Sequence, residues 1–277
     1  MKDSETQSGS FFYLCAVSAI ILGSGFALFE MSARFPFYFR PDQDLISTFD
    51  FLLIGSRGYP TQISHPAFGM QLFIAFALKC ANFFGKNLVS TAQEFSRVGS
   101  PALILRELTE FFRTLTPISN LATSLILWKT FSLIFRPERW LKVLLLVLLT
   151  SLPPLYYHSA FLRTESFTLF YTSLTAFGLV LASKKTSSAF HILVFTGFFL
   201  GMAILTKVQA LLCLALYVLL YFLVLASRPL KQTFTSKESK TGLVISGSLL
   251  VASFWILSLA KHQTWPKDVM YPVQYKV

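Results

Sequence analysis

Acidic side chains are scarce in this chain, thirteen Asp and Glu in 277 residues against 24 Lys and Arg. Charge of both signs makes up only 13% of the sequence, about half the soluble norm. With 54% hydrophobic residues and 30 Phe, a water-soluble domain would leave far too much apolar surface exposed. The solvent is therefore lipid, and the sequence reads as a polytopic integral membrane protein. Cysteine is nearly missing too. Cys15, Cys80 and Cys213 all fall inside hydrophobic segments and form no CxxC pair, which excludes a disulfide frame and leaves small packing residues. The four histidines show no HxxxH spacing, so a zinc site has no support. No cofactor motif is evident, and a divalent metal has no ligand pattern behind it. Internal repeats and low-complexity segments are absent.

The net charge of +11 would suggest nucleic acid in a soluble protein. Here Lys and Arg collect in short loops between hydrophobic runs, where they set topology and meet anionic headgroups. The clustered basic face that nucleic acid requires is missing.

Runs long enough to cross a bilayer occur near residues 11–29, 115–135, 141–157, 166–183, 188–205, 208–226 and 242–260. The first is too long for a signal peptide and lacks a good cleavage site, so it reads as a permanent anchor. Residues 67–84 are ambiguous: apolar, but carrying Gln71, Lys79 and Asn82. They either span or lie in the interface as an amphipathic helix. With a cytoplasmic N-terminus and an interfacial 67–84, three basic groups face the cytoplasm: Arg136/Arg139/Lys142, Lys184/Lys185 and Arg228/Lys231/Lys237/Lys240. The positive-inside rule favours this seven-span arrangement. An N-out, eight-span protein keeps the same loops inside but puts Asp42 and Glu165 on opposite faces.

The predicted fold is thus an all-α membrane helical bundle of about seven transmembrane helices, residues 1–260, with an extracytoplasmic tail at 261–277. Its first extracytoplasmic loop, 32–114, is far too long for a plain connector. It holds 67–84 and, after Ser100-Pro101, a second short surface helix with Arg106, Glu107, Glu110 and Arg113 among apolar residues.

Four places could carry chemistry. Asp42-Gln43-Asp44 follows the first span; a turn or helix cap explains a single Asp there, but carboxylates beside a membrane usually persist because something uses them. His65-Pro66 opens the 67–84 segment, either as a capping turn or as a group near a lipid phosphate. His158 to Glu165 joins two spans; Glu165 suits a helix start by its dipole alone, and Arg163 could pair with it or bind phosphate. Lys207, with Gln209 two residues on, ends a span; it either snorkels or faces a phosphate leaving group.

The order of these features resembles the GT-C glycosyltransferase superfamily, most closely the branch of protein O-mannosyltransferases and bacterial aminoarabinose or lipopolysaccharide sugar transferases. The resemblance rests on Asp42-Gln43-Asp44, Gly58 with His65-Pro66, Arg163-Thr164-Glu165, and Gly201 to Lys207, whose Leu205-Thr206-Lys207 is similar to the family's LTK segment. It covers most of residues 10–226. It implies transfer of a sugar from a polyprenyl-phosphate donor to a glycan, lipid or protein acceptor outside the cytoplasm, here across a bacterial inner (plasma) membrane. It implies that Asp44 or Asp42 is the general base, that Glu165 is the second-loop acidic residue, and that Lys207, His65, Arg163 and Gln209 serve the substrate. Three features depart from the family pattern: Asp-Gln-Asp replaces Asp-Glu, Ala67 follows His-Pro where a second Pro is usual, and the chain ends soon after the seventh run. Two other classes stay in view. A transporter or flippase of a lipid-linked precursor would bury ionisable groups mid-span, whereas charges here gather at span ends, with Lys129 near enough to one to snorkel. A non-catalytic subunit is the third reading.

Overall fold

The computed structural model describes residues 2–36, 44–57, 67–97, 99–184, 189–207 and 210. Every extended regular element among them is α-helical: α1 (Lys2–Ala33), α2 (Asp44–Arg57), α3 (Phe68–Phe83), α4 (Ala92–Ser96), α5 (Pro101–Phe135), α6 (Arg139–Thr150), α7 (Pro153–Ser159), α8 (Thr164–Lys184) and α9 (Ala189–Thr206). Among the described residues, three helices are long and apolar enough to cross a membrane: Ser10–Ala33, Pro101–Phe135 and Thr164–Ala182. A fourth span results if α6 and α7, bent by 45° at their junction, count as one. The described apolar stretch of α9, His191–Thr206, is shorter. The expected runs at 208–226 and 242–260 lie outside the described residues.

Helix ends follow local chemistry. Pro101 occupies the first turn of α5, where its missing N–H costs nothing. The same helix stops at Arg136, in the left-handed region at φ 49° and followed by Pro137. Pro153 similarly opens α7 and enforces the break after α6. Inside the spans, hydroxyls turn back onto the helix: Thr123, Thr130, Thr175 and Thr196 each donate to the carbonyl four residues earlier. These four hydroxyls are thereby paired within their own helices and need no partner from lipid.

One expectation is corrected. The surface helix beginning at Pro101 is not a separate element; it continues without interruption to Phe135, as a rod of about 52 Å at 1.5 Å per residue. Pro117 lies inside it. A proline there removes the N–H that would bond the Arg113 carbonyl. Ser32 Oγ, at the end of α1, donates to that carbonyl instead at 3.4 Å. The lost hydrogen bond thus becomes a contact between helices.

α1 packs on α5, α6 and α7, while α8 packs between α5 and α9. The hydrophobic core is displaced toward one end. Phe51 and Leu52 of α2, Met70 and Ile74 of α3, Leu108 and Phe112 of α5, Phe167 of α8 and Met202 of α9 form one buried cluster, with the Phe51 and Phe112 rings edge to face at 5.1 Å. α3 packs against α2, α8 and α9. Its Phe73 ring meets Phe167 at a tilt and Phe170 edge to face, early in α8. Gly69 sits against the last turn of α9, where a Cβ would lie 2.2 Å from Thr206 Oγ1 and 2.4 Å from the Met202 carbonyl oxygen. At 16 residues, Phe68–Phe83 is one of the shorter apolar helices. At the opposite end lie Arg136, Arg139 and Lys142, with Trp128 Nε1 donating to the Lys142 carbonyl at 2.7 Å and Lys184 Nζ donating to the Leu133 carbonyl.

Candidate functional site

The chain crosses between the two ends repeatedly, and four of the singled-out positions arrive at the same one. α1 ends there, α2 starts there at Asp44, α7 returns to it, α8 leaves from Thr164, and α9 comes back to Lys207. Asp44 is fully buried. Its Oδ2 accepts from Arg113 Nη2 at 2.5 Å and Nε at 3.2 Å. Its Oδ1 accepts from the Leu162 backbone N–H at 2.7 Å. A carboxylate in a dry setting is tolerable only with this degree of pairing.

Arg113 directs two further donors to the exit of α1, with Nη1 to the Phe35 carbonyl at 2.6 Å and Nη2 to the Pro36 carbonyl at 3.1 Å. Only a planar guanidinium serves so many acceptors at once. Arg113 is the residue that sequence reasoning undervalued: it appeared as one charge in a mixed stretch. The signal was there, since an arginine two residues before a membrane run calls for a partner.

Glu165 lies three residues beyond Leu162, and its environment is different. Its Oε1 accepts from Lys207 Nζ at 2.6 Å, and its Oε2 from Thr164 Oγ1 at 3.3 Å. The side chains of this pair are 34% and 27% exposed, so solvent or a ligand reaches them. Lys207 is held in place by its own N–H, which continues the α9 ladder to the Ala203 carbonyl at 2.9 Å. Arg163 places its guanidinium carbon 5.1 Å from the Tyr157 ring centroid, a cation–π distance. His158 stands beside the same ring, its Nδ1 buried without a hydrogen-bond partner. Asp44, Arg163, Glu165 and Lys207 are therefore gathered by one loop, 160–165. Asp42, His65 and Gln209 lie outside the described residues. Among the described residues, no three His, Cys, Asp or Glu side chains converge as a metal site.

Such a site has one ion pair sealed away, a second open to the surface, and one further cation, Arg163, nearby. On a bundle of apolar helices, it defines a polytopic membrane protein with an ionic centre at one end of the bundle. The particular family follows from sequence comparison: residues 61–264 match the dolichyl-phosphate-mannose-protein mannosyltransferase family. The chain belongs to that family, within the GT-C superfamily, and is a membrane glycosyltransferase that uses a polyprenyl-phosphate-linked sugar. Comparison with curated proteins and with solved structures returns no match.

Proposed function

We propose that the protein transfers a sugar, mannose first among candidates, from a polyprenyl-phosphate donor to a hydroxyl of a glycan, lipid or protein on the outer side of a bacterial plasma membrane. The single observation that carries this reading is the Leu162 N–H to Asp44 hydrogen bond. It ties the start of α2 to the turn bearing Arg163 and Glu165, which supports a carboxylate and cations acting at one site. The basic residues at the other end support an outward-facing site by the positive-inside rule.

The step requires an acceptor oxygen to attack the anomeric carbon while its proton passes to a carboxylate. The carbon–oxygen bond to the phosphate breaks, and its electron pair leaves on the phosphate oxygen. Positive charge must meet that oxygen. Lys207 is the cation we assign to it, with Arg163, His65 and Gln209 completing the substrate contacts. Asp42, Asp44 and Glu165 are the acidic candidates. Both oxygens of Asp44 are engaged and the side chain is sealed from solvent, which makes it a poor proton acceptor. This favours Asp42, two positions earlier, as the base, with Asp44 holding its segment in place. Glu165 orients Lys207.

The test is transfer from polyprenyl-phosphate [¹⁴C]mannose in membranes carrying Asp42→Asn, Asp44→Asn or both. Asp42→Asn should abolish transfer in a folded protein. Full transfer by the double variant would sink the proposal.

A further inference from the structure

His158 has no part in the proton and phosphate chemistry assigned above, yet it stands within the same cluster. It is carried on α7, which is pinned to α5 on either side of it in sequence. Asn120 Nδ2 donates to the Leu155 carbonyl at 3.0 Å and to Ser159 Oγ at 2.8 Å. The Tyr157 ring meets the imidazole edge to face at 5.6 Å and is itself 46% exposed. The charges of Arg163, Glu165 and Lys207 all act on the imidazole, so the ring stands within electrostatic reach of the open ion pair. His158 is half-buried, but its Nδ1 is sealed and meets no hydrogen-bond partner among the described residues.

That orphaned atom limits what the ring can do. A neutral imidazole carries a proton on one nitrogen and a lone pair on the other. A proton on Nδ1 would be a buried donor without an acceptor, the rarer of the two arrangements in proteins. The lone pair therefore sits on Nδ1 and the proton on Nε2. In this tautomer Nε2 donates and cannot take up a proton, which excludes His158 as the base. Arg163 and Lys207 suit the charged phosphate of a lipid-linked sugar. An uncharged N–H beside them, next to an exposed aromatic ring, suits an uncharged oxygen on a ligand that also presents C–H surface. The sugar itself offers both, one bond away from that phosphate.

We propose that His158 is a specificity-determining residue whose Nε2–H donates to a hydroxyl of the donor sugar, beside the Glu165–Lys207 pair. This rests on the reading of the protein as a transferase of a polyprenyl-phosphate sugar. No bond forms or breaks at His158. It discriminates because a site built to hydrogen-bond a hydroxyl handles a sugar lacking that hydroxyl less well.

The experiment is a double-mutant cycle between protein and donor, in purified full-length protein. Wild type and His158→Phe are assayed with polyprenyl-phosphate mannose and with its 2-, 3-, 4- and 6-deoxy forms. With mannose, kcat/KM should fall about five- to ten-fold in His158→Phe, the size of one neutral hydrogen bond. One deoxy donor should be used equally well by both proteins, within about two-fold, while the others fall in step with mannose. His158→Gln, whose amide N–H can stand in for Nε2–H, should keep a preference for mannose over that one donor. An equal fall for every donor overturns the inference and leaves His158 a packing residue or a phosphate contact. An unchanged rate with mannose overturns it too, as does loss of the folded protein in both variants. Failure of the underlying reading shows separately, as folded wild type that transfers none of these sugars, and it removes the inference with it.

Discussion

Asp44 and Leu162 stand 118 positions apart in the chain and are joined by one hydrogen bond of 2.7 Å, from a backbone N–H to a carboxylate that also holds Arg113. An acid placed this way is part of the frame. Replacing it by Ala leaves the Arg113 guanidinium buried without its counter-charge. The expected loss is about 3–5 kcal/mol, as for other broken buried pairs. Thermal unfolding in detergent measures it. A double replacement, Asp44→Leu with Arg113→Met, should lose less than Asp44→Ala alone; an equal or greater loss would contradict the view of Asp44 and Arg113 as a coupled pair.

Glu165 and Lys207 should behave in the opposite way. Both are about a third exposed, and such pairs contribute below about 1 kcal/mol. Glu165→Gln and Lys207→Gln are thus expected to unfold within a few degrees of wild type, yet to lose sugar transfer by roughly 10²-fold or more, the scale of a lost polar group at the reacting centre. Unchanged transfer rates would remove the pair from the site.

The two close glycine contacts differ in severity. At Gly178 an added Cβ meets Thr196 Oγ1 at 2.2 Å, but its remaining neighbours lie at 3.3 Å or beyond. Thr196→Ala should therefore rescue Gly178→Ala. At Gly69 the Met202 backbone carbonyl stands at 2.4 Å as well, and Thr206→Ala cannot clear it. Gly69→Ala is expected to cost about 1–3 kcal/mol, the usual range for overpacking, with or without Thr206→Ala. Unfolding midpoints of the four single and double variants decide the matter.

Glu94 supplies the pH-dependent element. It closes a capping box at the start of α4, accepting from the Ser90 N–H at 2.7 Å and pairing reciprocally with Thr91. The Ser90 N–H is the chief cause holding this carboxyl below its ordinary value, against a smaller opposing effect of burial. A folded-state value below the unfolded one means the contribution is present above the unfolded value, about 4.3, and fades as pH falls through the folded one. Amide exchange at residues 90–94 should accelerate on acidification below that point, and Glu94→Gln should flatten the dependence.

Topology offers the cheapest check. In a cysteine-free background, Lys86→Cys and Arg139→Cys both expose the thiol. An impermeant maleimide should label position 86 on intact cells and position 139 only after permeabilisation. The reverse pattern would turn the site toward the cytoplasm.

Much of this arrangement could be read from the residues. Pro101 and the Thr164-Glu165 start mark helix ends by local chemistry, and the seven-span arrangement, one of two considered, put Asp44 and Glu165 on one face. What could not be read was long-range. Pro117 looks like a helix breaker until Ser32 is known to accept the role of its missing partner. Arg113 looks like surface charge because its acceptors sit 69 to 78 positions earlier. Gly69 carries no signal at all, since only the neighbouring Thr206 makes its lack of a side chain matter.

The order of synthesis gives the Arg113 network another meaning. When α5 enters the membrane, Phe35, Pro36 and Asp44 have already been made, but Leu162 has not. An arginine at that depth is costly without partners, so pairing with Asp44 is favoured as soon as α1, α2 and α5 meet. The fourth participant arrives 49 residues after Arg113, counting from 113 to 162, once α6 and α7 have returned to the same side. The Leu162 N–H reaches the carboxylate only then. Completion of the ionic centre thus follows insertion of the hairpin after α5, and a chain stalled before residue 162 has not yet made the Leu162 N–H that Asp44 Oδ1 accepts.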